Sequence, residues 1–328
     1  MSSITPDRCA SLDEAVGEYC LWPNEIASAG RLPMKVRPLA ERRAEWAALQ
    51  PRAQHRTQPK RFGRGGRYAS HTAKSWRFFP KTVVFYTGSS QLTGAPILVA
   101  AGAQTSNRKT GPMVQIWILR ADMAPIAAVR SGGDEAICGQ CRHRGDGRGQ
   151  ARSCYVEWWR SPENIYQAIT GTGRGTGKNV ERASIYDFGE LARGKQLRIG
   201  AYGDPVAVPL SVWAIVIQHA AGWTAYTHQW RLPIAQDYRT FCMASVDSEA
   251  EQVEAAALGW RTFRVRPTIQ TRLLPGEIIC PASEEAGHKV QCAECELCRG
   301  SSRPAKNIVI AAHGQYALHF RRTAEAHR

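Results

Sequence analysis

Acidic residues are what this chain lacks most visibly. No Asp or Glu occurs from Trp46 to Ala121, while twelve Lys and Arg do. Over all 328 residues, 43 basic side chains face 28 acidic ones, a formal net charge of +15. A balance this basic argues against a cationic partner and points toward polyanions. Lysine is scarce too, since 34 of the 43 basic residues are Arg, whose planar fork suits bidentate phosphate contact. Long apolar runs are missing. No stretch approaches about 18 apolar residues, so no membrane helix is expected. The opening "MSSITPDRCASLDEAVGEYC" lacks the charged-then-apolar pattern of a secretory signal. The expectation is a cytoplasmic protein with no membrane partner, whose thiols stay reduced. A complete nucleotide loop is missing as well. "GTGRGTGK" (171–178) ends before Asn179, where Ser or Thr is required, and it follows a helix rather than a strand.

Cysteine, by contrast, is plentiful, with ten in the chain. At this length, and with 43% apolar content, a core can form without disulfide staples. Clustered cysteines in a reducing compartment then read as metal ligands. "ICPASEEAGHKVQCAECELCRG" (279–300) holds Cys280 and then the unbroken run Cys292-x2-Cys295-x2-Cys298. Triplets at this spacing are the bacterial ferredoxin pattern, and Cys280, followed by Pro281, is the natural distant fourth ligand. Structural zinc favours two separated pairs. A 4Fe-4S cluster is therefore expected, with zinc as the alternative. The upstream "CGQCRHRGDGRGQARSCYVEWW" supplies Cys138, Cys141 and Cys154. Its Gly- and Arg-rich loop has too little apolar surface to order itself, so a metal would order it. Three thiolates leave one position for Cys242, for His143 or for a small molecule. Alternatively, both sets share one centre. Cys9, Cys20 and Cys242 stand alone and read as ordinary residues.

The fold class expected is α/β: a partial or complete parallel (β/α) barrel carrying the clustered cysteines. A small antiparallel β-meander and a basic N-terminal extension precede it. The divisions expected are 1–81 for the extension, 82–135 for the meander and 136–328 for the barrel-like domain. Short helices are expected at 11–22 and 38–50. Three strand-like runs (82–88, 95–104, 113–120) are separated by turn-forming "GSSQLTG" and "TSNRKTGP". Beyond the first cysteine set, helices are expected at 161–171, with Ser161 as cap and Pro162 following, and at 179–194. Strands and helices then alternate: strand 196–204, helix 209–222, strand 223–229, strand 240–247, helix 248–259, and strands at 260–266, 276–283 and 307–314. Ser248 with Glu251 forms a capping-box pattern, and Gly259 stops that helix.

In parallel α/β folds the chemistry gathers at the C-terminal ends of the strands. The expected ends carry Tyr202 and Asp204, Tyr226 and His228, Asp247, Arg264, and Cys280. Asp204 and His228 are the candidate acid/base pair. Tyr202, Tyr226, Asp247, Arg198 and Arg264 are the candidate substrate contacts, with Arg198 or Arg264 gripping an anion.

The segments "CGQCRHR…SCYVEWW", "RIGAYGDPVAVP", "WTAYTHQW", "MASVDS" and "CPASEEAGHKVQCAECELCRG" together resemble a cysteine-rich iron–sulfur family of phages and plasmids. That family is distantly similar to the mycobacteriophage "gene product 88" family and to radical S-adenosylmethionine barrels. The resemblance covers about 135 to 300. It implies an iron–sulfur barrel and no particular reaction, and the chain departs from the C-x3-C-x2-C spacing of radical enzymes.

Two functions follow. The first is a cluster-bearing redox or radical-type enzyme acting on nucleic acid. The second is a nucleic-acid-binding protein with purely structural metal. Both use "KRFGRGGRYASHTAKSWRFF", in which Arg61, Arg64 and Arg67 alternate with Phe62, Tyr68 and Trp76. That pattern suits phosphate contact combined with base stacking.

Overall fold

The computed structural model of the protein describes residues 82–102, 107–147, 151–173 and 180–326, with side chains to 322. The expected helices at 11–22 and 38–50 and the basic segment 51–81 lie outside the described residues. The chain divides into two units, 1–70 and 71–328, and every described residue belongs to the second.

The meander forms as expected. β1 (Thr82–Ser89), β2 (Pro96–Gly102) and β3 (Val114–Arg120) pair antiparallel in sequence order. The apolar runs of β2 and β3 are buried almost end to end, as strands covered on both faces require, and β1 is buried over its first four residues. β3 does not close the sheet. It pairs in parallel with β5 (Gln196–Tyr202), which pairs in parallel with β6 (Gly222–Thr224). At the far edge β4 (Val180–Arg182) runs parallel to β1, giving the order β4-β1-β2-β3-β5-β6. Only Ala225 separates β6 from β7 (Tyr226–Thr227), so one strand path leaves the first sheet and enters the second. The second sheet is wholly parallel, in the order β10-β11-β9-β8-β7. Its other strands are β8 (Met243–Val246), β9 (Thr262–Arg266), β10 (Glu277–Ile279) and β11 (Asn307–Ala311).

The helices are α1 (Pro125–Ser131), α2 (Glu135–Cys138), α3 (Ser161–Thr170), α4 (Ile185–Leu191), α5 (Leu210–Ile217), α6 (Glu249–Ala257), α7 (Cys292–Cys295) and α8 (Ala317–Ala326). Three local expectations shift. Ser161 opens α3 as its first helical residue, and Arg160 occupies the cap position. The helix expected over 179–194 divides into β4 and the shorter α4. Ser184 breaks it by turning its hydroxyl to accept from Asp187 N at 3.1 Å, while Ala183 N continues the edge pairing to Val84 O at 3.0 Å. In α6, Ser248 Oγ accepts from Glu251 N at 3.1 Å, but the Glu251 carboxylate accepts from Asp247 N at 2.7 Å rather than from the cap itself.

Val83, Val99, Ile116, Ile118 and Ile199 fill the main core with Trp213 and Phe188. Each large apolar side chain so buried contributes roughly 1.5–3 kcal/mol. Buried tryptophans also fix the strand ends. Trp213 Nε1 donates to Pro205 O at 2.9 Å and Trp230 Nε1 to Ser245 O at 3.1 Å, so each ring is packed and its N–H is satisfied. Among the described residues no helix is long and apolar enough to cross a membrane.

Candidate metal centres and the strand-end site

Because β5, β7, β8, β9 and β10 belong to parallel pairs, their C-terminal ends lie on one side. Asp204, just past β5, is 6% exposed and joins two of those ends. Its Oδ1 accepts from Thr227 Oγ1 at 2.7 Å and Val206 N at 3.0 Å, and its Oδ2 from His228 N at 2.8 Å. Burial pushes the Asp204 pKa up, and these donors oppose the shift. Gly203 at φ +83 makes the turn possible, since a Cβ there would meet Ile118 at 2.7 Å. Asp204 N then donates to Ile137 O at 2.6 Å, laying the strand end against α2 and hence against Cys138.

The first thiol set is built on that contact. Cys141 N donates to Cys138 O at 3.2 Å, and the loop returns where Cys154 N donates to His143 O at 3.1 Å. Gln229, beyond β7, seats the turn: its Nε2 donates to Cys138 O at 2.9 Å and its Oε1 accepts from Gln140 N at 3.2 Å. Gly139 (φ +54) allows this approach, because a Cβ there would lie 2.4 Å from Gln229 Oε1. The loop is not left for a metal alone to order. Asp134, fully buried at its base, binds Arg144 at 2.8 Å and Arg152 at 2.8 Å. His143 bonds Ser153 Oγ through Nδ1 and Asp247 Oδ2 through Nε2, each at 2.8 Å. Both ring nitrogens are thus engaged, which leaves His143 no lone pair for a metal as placed. Cys242, the other candidate for the open position, sits in the main core.

Burial pushes the Cys138 thiol well up, with Asp134, Cys141 and Cys154 adding and Arg152 opposing. Burial also raises Cys141, opposed by His143, and raises Cys154, opposed by Arg152 with Cys141 adding. Tyr202 is 2% exposed, its hydroxyl has no hydrogen-bond partner among the described residues, and burial, then Cys138, hold its pKa well up.

The second thiol set gathers at the other end of the chain. Cys280 and Cys298 are buried and Cys292 and Cys295 half-buried, and all four are free thiols. Cys280 N donates to Val309 O at 2.8 Å, while Cys298 O accepts from Ala225 N at 3.3 Å, at the junction of the two sheets. α7 is clamped from outside, where Cys292 N donates to Lys109 O at 2.9 Å and Ala293 N to Thr110 O at 3.1 Å. Burial pushes Cys292 up to about 11, and it raises Cys298 against a hydrogen bond with Tyr226, with Cys280, Cys292 and Cys295 adding. Met243, Ile308 and Ile310 make the surroundings apolar. Among the described residues, no three His, Cys, Asp or Glu side chains stand as a ready-made metal group.

Burial pushes Asp247 up, but His143, His228 and Arg142 outweigh it and hold the carboxyl below its usual range. The His228 ring lies 5.2 Å from that of His143, edge-on. A cleft of about 530 Å³ opens at the ends of β8 and β9, lined by Arg142, Asp247, Ser248, Arg264, Thr271 and Arg272. Arg264 is buried in it and is largely committed. Its Nε and Nη2 each donate to the Glu277 carboxylate at 2.7 Å, and Nη2 also to Arg272 O at 3.0 Å. Arg198 lies elsewhere, on the face of β5 opposite Leu197 and Ile199, with its guanidinium 5.8 Å from the centre of the Tyr155 ring. Arg61, Phe62, Arg64, Arg67, Tyr68 and Trp76 lie outside the described residues. Sequence reading missed Asp134, Arg152, Gln229 and Tyr155. "SCYVEWW" was the one signal that could have pointed to Tyr155, since it sits beside a candidate ligand.

Comparison with protein-family models, with curated proteins and with solved structures returns no match. The family resemblance therefore rests on the quoted motifs alone.

Proposed function

We propose that this is an iron–sulfur protein with two thiolate sites set against a parallel, partial-barrel sheet. Cys280, Cys292, Cys295 and Cys298 hold a 4Fe-4S cluster. Cys138, Cys141 and Cys154 hold a second centre with one position left to another ligand. The observation that supports this best is the backbone bonding that holds the two cysteine segments, with Cys141 N donating to Cys138 O and Cys154 N to His143 O in one, and Cys280 N donating to Val309 O and Ala225 N to Cys298 O in the other. Burial that raises thiol pKa values opposes bare thiolates in both sets, and a bound cation would reverse that balance. The path from β6 to β7 through Ala225 supports the barrel-like curvature. The unpartnered Tyr202 hydroxyl fits a sulfur acceptor at the first centre.

Such centres supply one-electron transfer. The chain's own residues give the first site its polarity. Asp204 holds the ends of β5 and β7 together, the His143–Asp247 pair holds a proton between Nε2 and Oδ2, and His228 presents its ring beside them. In this reading the protein is a redox or radical-type enzyme of phage or mobile-element origin acting in the cytoplasm on nucleic acid. Anaerobic purification with iron, sulfide and zinc counted per chain, together with an absorption and paramagnetic-resonance spectrum, tests it. Brown protein whose iron falls in Cys295→Ala is expected. Stoichiometric zinc with neither iron nor sulfide overturns the iron–sulfur reading.

A second reading, a nucleic-acid-binding protein with structural metal, is favoured by the charge distribution. Nine of the twelve basic residues of the acid-free run fall between Arg52 and Lys81. The same ligands would then hold iron–sulfur or zinc without turnover.

A further inference from the structure

We propose that the surface where residues 155–160 meet residues 313–322 is a stacking platform for single-stranded nucleic acid. The proposal rests on the nucleic-acid side of the reading above, deepens it, and draws on no metal.

Two ring contacts tie the two segments together. Tyr155 meets His313 with ring centroids 6.2 Å apart, and Trp159 meets Tyr316 at 6.1 Å. Trp158 stands edge-on to Trp159 at 5.0 Å, and His319 edge-on to Tyr316 at 5.9 Å. The segments therefore run side by side and carry their rings along one ridge. Its base is fixed. Phe320 is 6% exposed and stacks on the His143 ring at 5.4 Å, which seats α8 on the first cysteine loop. Phe320 N donates to Tyr316 O at 3.0 Å, one helical turn back, so the same contact sets Tyr316. Arg198 reaches in from β5 and holds its guanidinium 5.8 Å from the centre of the Tyr155 ring, within cation–π range.

Packing accounts for the contacts but not for the exposure. A ring kept for the core is buried with its polar edge satisfied, as Trp213 is, whereas Tyr155 leaves 53% of its surface in solvent. His313 and His319 are exposed as well, and Trp159 and Tyr316 are half-buried. A contiguous set of exposed rings on a fixed base marks a surface kept for a partner. The charge around it names the partner. No Asp or Glu occurs from Leu297 to Ala324, a run that holds five Lys and Arg together with His313, Tyr316 and His319. Across the ridge, the Arg160 side chain is 67% exposed. Its pairing with Glu157 at 3.1 Å is a surface ion pair, weak enough for a phosphate to replace. Glu157 is the one acid in the two segments, and Arg322 is exposed at the far end. Rings flanked by cations fit a polyanion that also offers flat faces, which is single-stranded nucleic acid. In a duplex those faces are covered by neighbouring bases. An acidic polypeptide supplies the charge without the faces.

The test uses the full chain with Tyr155→Ala and Tyr155→Phe. A labelled oligothymidylate and a labelled duplex of the same length are titrated by fluorescence anisotropy at several salt concentrations. Loss of one stacking ring should weaken single-strand binding at least about fivefold, while Tyr155→Phe keeps the ring and stays near wild type. Stacking releases no counterions, so Tyr155→Ala should keep the wild-type salt slope and the wild-type duplex affinity. A second measurement needs no variant. An oligonucleotide carrying a halogenated uracil, irradiated on the wild-type chain, should crosslink to Tyr155, Trp159 or Tyr316. Unchanged single-strand affinity in Tyr155→Ala overturns the platform, and so do crosslinks confined to residues 62–79; both leave the nucleic-acid reading standing. Equal loss for single strand and duplex also overturns it, because charge or folding rather than stacking would then be at work. Wild-type protein that binds neither oligonucleotide overturns the nucleic-acid reading and the platform with it.

Discussion

Tyr202 carries its hydroxyl into the interior, and no described residue accepts it. A buried donor left unpaired costs about 1–3 kcal/mol. Tyr202→Phe removes that cost in metal-free protein, so denaturant melts should show it more stable by about 1 kcal/mol. In metal-loaded protein the gain should vanish, because a bound sulfur then accepts the hydroxyl. An equal gain in both states would mean the hydroxyl never meets the centre. Asp247 gives a pH signature. Its folded pKa is depressed, so its contribution is complete above the unfolded value of about 3.9 and is lost as pH falls through the folded value. Asp247→Asn should lower stability at pH 7 by about 1–3 kcal/mol and lose less than wild type does on acidification below about pH 4. Urea midpoints at neutral and acid pH check both halves. Positions such as Asp204, His228 and Asp247 were legible in sequence, because each follows a short apolar run. Their tasks were not. Asp204 spends both oxygens on holding two strands together, and Arg264 spends its fork on Glu277, thirteen positions on at the start of β10, which β11 separates from β9.

Elements were legible where burial makes the pattern. The meander strands, β8 and β11 are apolar runs, β5 and β9 alternate residue by residue, and α6 announces itself with Ser248 and Gly259. β4 escaped because Val180 is only half-buried and Glu181 and Arg182 are exposed, so it owes its extended form to pairing with β1, not to its own composition. The segment after Cys298 shows a tertiary clamp of the same illegible kind. Arg261, at the start of the β9 run, donates to four carbonyls between Leu297 and Lys306 at 2.6–3.0 Å. Charged donors to buried carbonyls are worth about 1.5–3 kcal/mol apiece, and such losses are not additive. Arg261→Gln should cost about 3 kcal/mol, and iron should leave the C-terminal site faster under a chelator while Cys138, Cys141 and Cys154 keep theirs. Equal loss from both sites would point to general unfolding.

At the scale of the whole molecule, the first sheet runs across the expected boundary between a meander and a barrel-like part. β3 pairs directly with β5 across it, so residues 82–135 and the segment that follows share a sheet. Composition could not reveal this, because a strand reads the same whichever neighbour it finds. The charge asymmetry is the opposite case, legible in sequence and carried by residues outside the described ones. Residues 51–81 combine an absence of acids with nine Lys and Arg and with Phe62, Tyr68, Trp76, Phe78 and Phe79. Counterion release by the basic side chains, helped by base stacking, predicts binding to nucleic acid with little sequence preference. If about six phosphates are contacted, the slope of log affinity against log salt should be about −4 to −5. Deleting 51–81 should remove most of that slope and leave the metal content intact, since no cysteine lies in the segment. Fluorescence anisotropy with a labelled oligonucleotide at several salt concentrations decides it. Equal affinity and equal slope with and without the segment would show that its charge is a solvated surface, and would move any nucleic-acid contact onto the cysteine-bearing unit.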